Sequence, residues 1–161
     1  MTNRHGPNRL SNYISIHNTV MTQFVVQGFV VTDGTVFFPY GDNRFLLAGN
    51  IQCLGGITVA IWKYLAIVGT ISANPLVQTQ TYSYNACLTG VGNIFRYDSP
   101  HPHRPEHHVH RFDVLQGDTI GTITTIQGDA WPTIGEVLTE TRSFYYDNFT
   151  ELAKLEPPID D

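Results

Sequence analysis

Two long runs of strand-forming residues, Phe45 to Leu54 and Ile57 to Val68, flank the pair Gly55-Gly56, and the second run is rich in β-branched and aromatic side chains. Such side chains fit a pleated, half-buried surface, and paired glycines supply the backbone freedom that a tight reversal needs. An antiparallel hairpin is therefore the strongest local commitment in the chain, and the neighbouring sequence follows it. Phe24 to Val31 and Val36 to Phe38 flank Thr32-Asp33-Gly34-Thr35, which predicts a first hairpin. Val77 to Thr89 alternates through Gln78, Gln80, Tyr82 and Tyr84, then Gly90-Val-Gly92-Asn93 turns the chain into Ile94 to Asp98, which predicts a third.

Three prolines in Ser99-Pro-His-Pro-His-Arg-Pro then forbid regular structure and impose an extended loop. Beyond it His107 to Leu115 and Gly117 to Gly128 read as further strands. One helix is expected. Pro132 precedes Thr133-Ile-Gly-Glu136, a capping-box spacing, and Ile134, Val137, Leu138, Thr141, Tyr145, Phe149 and Leu152 recur at three and four residues. The predicted fold is α+β, a single domain whose mainly antiparallel sheet carries one C-terminal amphipathic helix. Residues 1 to 12 and the acidic tail 156 to 161 read as flexible ends.

With 161 residues and 42% hydrophobic content, the chain has material for a real core, so neither disulfides nor a structural metal is needed for stability. Cys53 and Cys87 form no CxxC pair, which excludes a metal finger and makes a reduced protein the default. No stretch reaches the roughly 18 apolar residues of a membrane span, and no signal-peptide core follows the polar start, so a soluble, cytoplasmic protein is expected. A net charge of −5 argues against a general nucleic-acid binder.

The chemistry concentrates elsewhere. Five of the seven histidines lie within His101-Pro-His103-Arg-Pro-Glu-His107-His108-Val-His110, bracketed by Arg96-Tyr97-Asp98 and Arg111-Phe112-Asp113. Imidazoles titrate near neutrality, ligate metals and shuttle protons. Strand alternation puts His108, His110 and Phe112 on one face, with His107 and Val109 on the other. Two schemes follow. In one, imidazoles drawn from His101, His103, His107, His108 and His110 hold zinc or another divalent transition ion at about 2.0 to 2.1 Å, with Asp98 or Glu106 as further ligand or orienter. In the other, His108 and His110 act as acid and base on RNA phosphodiesters, Asp98 orients them, Arg96 or Arg111 holds the phosphate, and Tyr84 or Tyr97 stacks on a base.

The plainer alternatives are that the proline-histidine loop binds metal only adventitiously or serves as a docking surface in a non-catalytic interaction protein, and that Arg96 with Asp98 is an ordinary exposed pair. No glycine pattern fits a phosphate loop, and no Ser or Cys sits in a nucleophile motif.

Several short motifs together resemble a known family. Tyr82-Ser-Tyr84, Ile94-Phe-Arg-Tyr-Asp98-Ser99 followed by His101, His107-His108-x-His110 and Trp131-Pro-Thr-x-Gly-Glu-Val are similar to the small TumE-like family, and Leu54-Gly-Gly-Ile57 to Lys63 matches its preceding strand. Members are described as toxin components of bacterial toxin–antitoxin pairs. The resemblance implies a toxin-like protein with a cognate antitoxin as partner; RNA as substrate is the expectation from the paired histidines and arginines above, and a homodimer is a further partner expectation. It carries over to Arg96, Asp98, His101, His107, His108 and His110 without assigned roles. The chain departs from the pattern in Ser99, where Asn is common, in an extra His103 and in an added N-terminal region.

Overall fold

The computed structural model describes residues 4–155. The expected loose tail at 156 to 161 lies outside these residues, as do positions 1 to 3 of the expected loose start. From Asn8 onward that start is ordered: Asn8–Arg9 form β1, a short strand on the flank of the sheet, and Leu10 opens helix α1, Leu10–Val26. This helix replaces the strand expected from Phe24. Tyr13, His17, Val20, Met21 and Phe24 recur at three and four residues, and His17, Met21 and Phe24 are buried. A histidine in the middle of the apolar stripe, together with β-branched residues that favour strands, hides the helical period.

The fold is α+β, with all strand pairings antiparallel. Strands β2 (Val30–Asp33), β3 (Val36–Pro39), β4 (Arg44–Cys53), β5 (Ile57–Ile71), β6 (Asn74–Leu88), β7 (Gly92–Asp98), β8 (His108–Arg111) and β9 (Thr122–Thr125) build one sheet in the order β2-β4-β5-β6-β7-β8-β9. β1 pairs with β6, and β3 pairs with β4.

The hairpins around Gly55-Gly56 and Gly90 form as expected. Cys53 pairs with Ile57 across a single tight turn, Leu54–Gly56. Gly55 is required there twice over: its φ is 71°, and a Cβ would lie 2.6 Å from the Tyr145 ring. The first expected hairpin does not form. β2 and β3 both pair with β4, end to end along it, and Gly34 marks the break between them. The Gly34 amide donates to the Asn50 carbonyl, and a Cβ on Gly49 would meet the Gly34 oxygen at 2.1 Å, so the two glycines let the neighbouring chains approach closely where β2 gives way to β3. On β6 the expected alternation breaks at Gln80: Tyr64 faces Thr81 but Leu65 faces Thr79, so Gln80 is extra. The bulge puts Val77 on the same buried side as Tyr82 and Tyr84.

Helix α2 runs Ile134–Asp147, with the capping box between Thr133 and Glu136 in place. Its apolar stripe does not continue unbroken to Leu152. The chain kinks at Asn148 and resumes as α3, Phe149–Ala153, which buries Leu152 and leaves Phe149 exposed.

The three helices cover one face of the sheet. Met21, Phe24, Val137, Leu138 and Leu152 pack with Ile57, Val59, Tyr84, Ala86 and Leu88 in one core. The opposite face stays open, exposing Val36, Phe38 and Trp62. Among the described residues no helix is long and apolar enough to cross a membrane.

Candidate functional site

The open face holds the site. Residues directly opposite one another on antiparallel strands share a face, and the register pairs Ser83 with Asp98, Asp98 with His108, and Arg96 with His110. Three adjacent strands, β6, β7 and β8, thus deliver a hydroxyl, an Arg-carboxylate pair and two imidazoles to one patch. The proline loop between β7 and β8 is closed by mutual backbone hydrogen bonds between His101 and Arg104. Ser99 anchors its start, since its hydroxyl bonds both the amide and the carbonyl of Tyr82.

His108 is 1% exposed, and its Nδ1 lies 2.9 Å from the Glu106 carbonyl oxygen. A carbonyl only accepts, so the ring hydrogen sits on Nδ1 and the other nitrogen is free to act as a ligand or base. That nitrogen, Nε2, is buried without a hydrogen-bond partner and lies 3.7 Å from Asp98 Oδ2. His110 Nε2 lies 3.6 Å from the same oxygen and accepts a 3.2 Å hydrogen bond from the Arg96 guanidinium, which fixes its neutral tautomer. Burial first, and the Arg96 cation next, hold His110 below the usual imidazole pKa; Asp98 opposes them. Asp98 is itself held on both oxygens, by Arg96 Nε at 2.7 Å and by the Ser83 hydroxyl at 2.9 Å.

The ligand atoms of Asp98, His108 and His110 all lie within 4.8 Å of one another, so this group could hold a metal ion. A tetrahedral ion with bonds of about 2.0 to 2.1 Å sets its ligand atoms about 3.3 Å apart, close to the two oxygen-nitrogen separations here. Among the described residues the group stops at these three.

The remaining candidates are placed elsewhere. His101 is exposed on the loop, its ring 5.1 Å from that of His108. His103 is exposed at the loop tip. His107 faces the helices, as alternation requires: it lies parallel to Trp131 at 5.3 Å and shares a 2.8 Å hydrogen bond with the Tyr82 hydroxyl, which takes it away from any metal group. Trp131 in turn stacks on Tyr82 and His5 and seats the start of α2.

Arg111 also points to the helix side. It pairs with Glu140 of α2 and donates to the Tyr97 hydroxyl, and that hydroxyl donates to Glu140 at 2.6 Å. Burial, with Glu140 beside it, pushes the Tyr97 hydroxyl up to about 12. Arg111 and Tyr97 therefore tie the sheet to α2 and do not reach the histidines. Tyr84 is wholly buried in the core and has no surface on which a base could stack. Phe112 does join the open face, lying parallel to His110 at 6.5 Å.

Ser83 is the member that sequence reasoning passes over. Its signal is the small polar residue between Tyr82 and Tyr84: with both tyrosines in the core, Ser83 must face the other way. No protein-family model matches the chain, and no curated protein or solved structure shows significant similarity to it.

Proposed function

We propose that Asp98, His108 and His110 bind one divalent transition ion, zinc fitting the nitrogen-rich donor set best, and that the centre cleaves phosphodiester bonds in RNA. The observation that carries this reading is the orphaned, buried Nε2 of His108. In its neutral tautomer it turns a lone pair toward the Asp98 carboxylate, an arrangement that a cation between them relieves. Three protein ligands also leave a coordination position open, the pattern of catalytic rather than structural sites.

When bound, the ion would act as a Lewis acid on a phosphoryl oxygen. The chain's own residues do the rest. The Glu106 carbonyl and the Ser83 hydroxyl orient His108 and Asp98. Arg96, its side chain 41% exposed, swings from His110 to pair with a phosphate oxygen. His101, exposed beside His108, is placed to carry a proton at the mouth of the site. The substrate class rests on two imidazoles standing beside the Arg96 cation, the parts that cleavage of an RNA phosphodiester uses; the resemblance of the segment from Tyr82 to Val137 to TumE-like toxins supplies the expectation of a cognate antitoxin.

A metal-free reading is favoured by one contact, the hydrogen bond from Arg96 to His110. There His110 is the base once Arg96 leaves its Nε2, His108 is the acid when a second proton on Nε2 faces Asp98, and Arg96 is the cation on the developing phosphorane charge. Untagged protein distinguishes the two. Stoichiometric metal, absent from the double variant His108→Ala/His110→Ala, together with RNA cleavage that stops on chelation, supports the ion centre. Cleavage that survives strong chelation sinks it. Growth arrest on expression, lost in the same variant, tests the toxin-like role.

A further inference from the structure

On the helix-covered face, away from the histidines, a cavity of about 260 Å³ opens between α1, the sheet and the start of α2. Lys63 reaches into it from β5. Lys63 is 6% exposed, and among the described residues no carboxylate pairs with it and none lines the cavity. Buried ammonium groups are costly unless paired, so an unpaired one at the wall of a cavity needs a reason.

The groups facing it do not supply a counter-charge. From α1 come the Tyr13 ring, 4.9 Å from Nζ, and His17, whose Nδ1 has no partner. From β6 come Tyr82, directly across the pair, and the Tyr84 ring at 6.0 Å. From the N-terminal segment come Arg4, already paired with Glu136 of α2, and His5. Aromatic faces attract a cation but satisfy none of its three N–H donors. The rest of the wall is apolar or neutral, with Ile16, Val20 and Ile134 along one side.

We propose that this cavity binds a small organic carboxylate, its charge on Lys63 Nζ and its apolar body against Ile16, Val20 and Ile134. A monoanion matches the single unpaired cation better than a phosphate, which asks for two or more charges or a cluster of backbone amides. The volume suffices for a ring-sized ligand, since an engineered cavity of roughly 150 Å³ accepts benzene. Burial pulls the Lys63 ammonium down to about 7, so the lysine takes up a proton as the anion binds. Binding is then strong below neutrality and fades as pH rises, by about tenfold per unit above pH 8. This site is independent of the proposed ion centre.

The test is calorimetric titration of the full chain with acetate, butyrate and benzoate, with benzamide as the uncharged counterpart of benzoate. We expect saturable one-to-one binding of at least one carboxylate at pH 6, no comparable binding of benzamide, and proton uptake at pH 8. Lys63→Met and Val20→Trp should each abolish it, the first by removing the charge and the second by filling the space. Circular dichroism confirms that both variants are folded. Silence of all three carboxylates at millimolar concentration, equal binding of benzamide, or binding that persists in folded Lys63→Met overturns the proposal.

Discussion

Replacing Lys63 with Met should stabilise the protein at neutral pH, and the gain should shrink as pH rises. The folded chain holds this ammonium at about 7 against an ordinary 10.5, with burial as the cause. The unfolded chain therefore binds more protons than the folded one between these values, and stability must rise with pH across that window. The sign is opposite to that of a lysine gaining a salt bridge. At pH 7 the penalty amounts to about 4 kcal/mol, from a shift of about three and a half units at 1.36 kcal/mol each, less the half-titration at the midpoint. At pH 9 it falls to about 2 kcal/mol by the same relation. Met keeps the length and apolar body of the lysine stem, so little packing is lost with the charge.

Urea unfolding of both proteins at pH 7 and pH 9 reads the effect as a difference. Wild type minus variant cancels the other groups that titrate in the range, including Cys53, whose thiol burial pushes up to about 12 and which therefore destabilises the fold at high pH. The expected result is that the advantage of Lys63→Met falls by about 2 kcal/mol between the two pH values. A pH-independent difference, or a variant less stable than wild type at pH 7, would refute the account of Lys63 as an unpaired buried cation.

Gly55→Ala should cost about 2 to 4 kcal/mol in urea unfolding, combining the left-handed conformation with overpacking against Tyr145; a loss below 1 kcal/mol would refute that close approach. Zinc at a hundredfold excess over its dissociation constant should stabilise the chain by about 2.7 kcal/mol, visible as a raised Tm. His110→Ala should abolish that gain, and its persistence would place the ion elsewhere. Arg111→Met should lower stability through the lost contact with Glu140 yet leave zinc binding and any RNA cleavage unchanged; a loss of cleavage with the fold intact would return Arg111 to the reaction.

Most of the sheet was legible because its signals are local. Gly55-Gly56 and Gly90 set two reversals, and alternation holds from Tyr82 to Leu88, whereas the β5–β6 reversal falls on Ser72 and Ala73 at positive φ and the strands expected over 107–115 and 117–128 shorten to His108–Arg111 and Thr122–Thr125. What failed was non-local or disguised. Helix α1 hid behind His17 and its β-branched neighbours, and the in-line β2 and β3 depend on the close approach of Gly34 to Gly49, which no single segment reveals. At the site, parity sufficed to unite His108 with His110 and to set His107 apart. The same parity excludes Arg111, which the eye keeps because it is cationic and adjacent. Asp98 could be named from its place beside Arg96, but its alignment with His108 and the presence of Ser83 needed the register, and the register needs the folded sheet.

His107 and His108 are consecutive, yet one is clamped under Trp131 and the other stands beside Asp98 on the far side of the sheet. A slip of β8 by one position would exchange them, leaving an imidazole on each side but removing the pairing of His108 with Asp98 and of His110 with Arg96. The strand therefore carries its own counterfeit, a slipped register that still offers Asp98 an imidazole, His107, but sets Val109 where His110 belongs. Protection against it comes from outside β8: the Ile126 amide grips the His107 carbonyl at 2.7 Å, and Trp131 receives the ring. Insertions in the proline loop that alter chain parity without disturbing those two anchors are absorbed in the loop; those that disturb them exchange one histidine for the other.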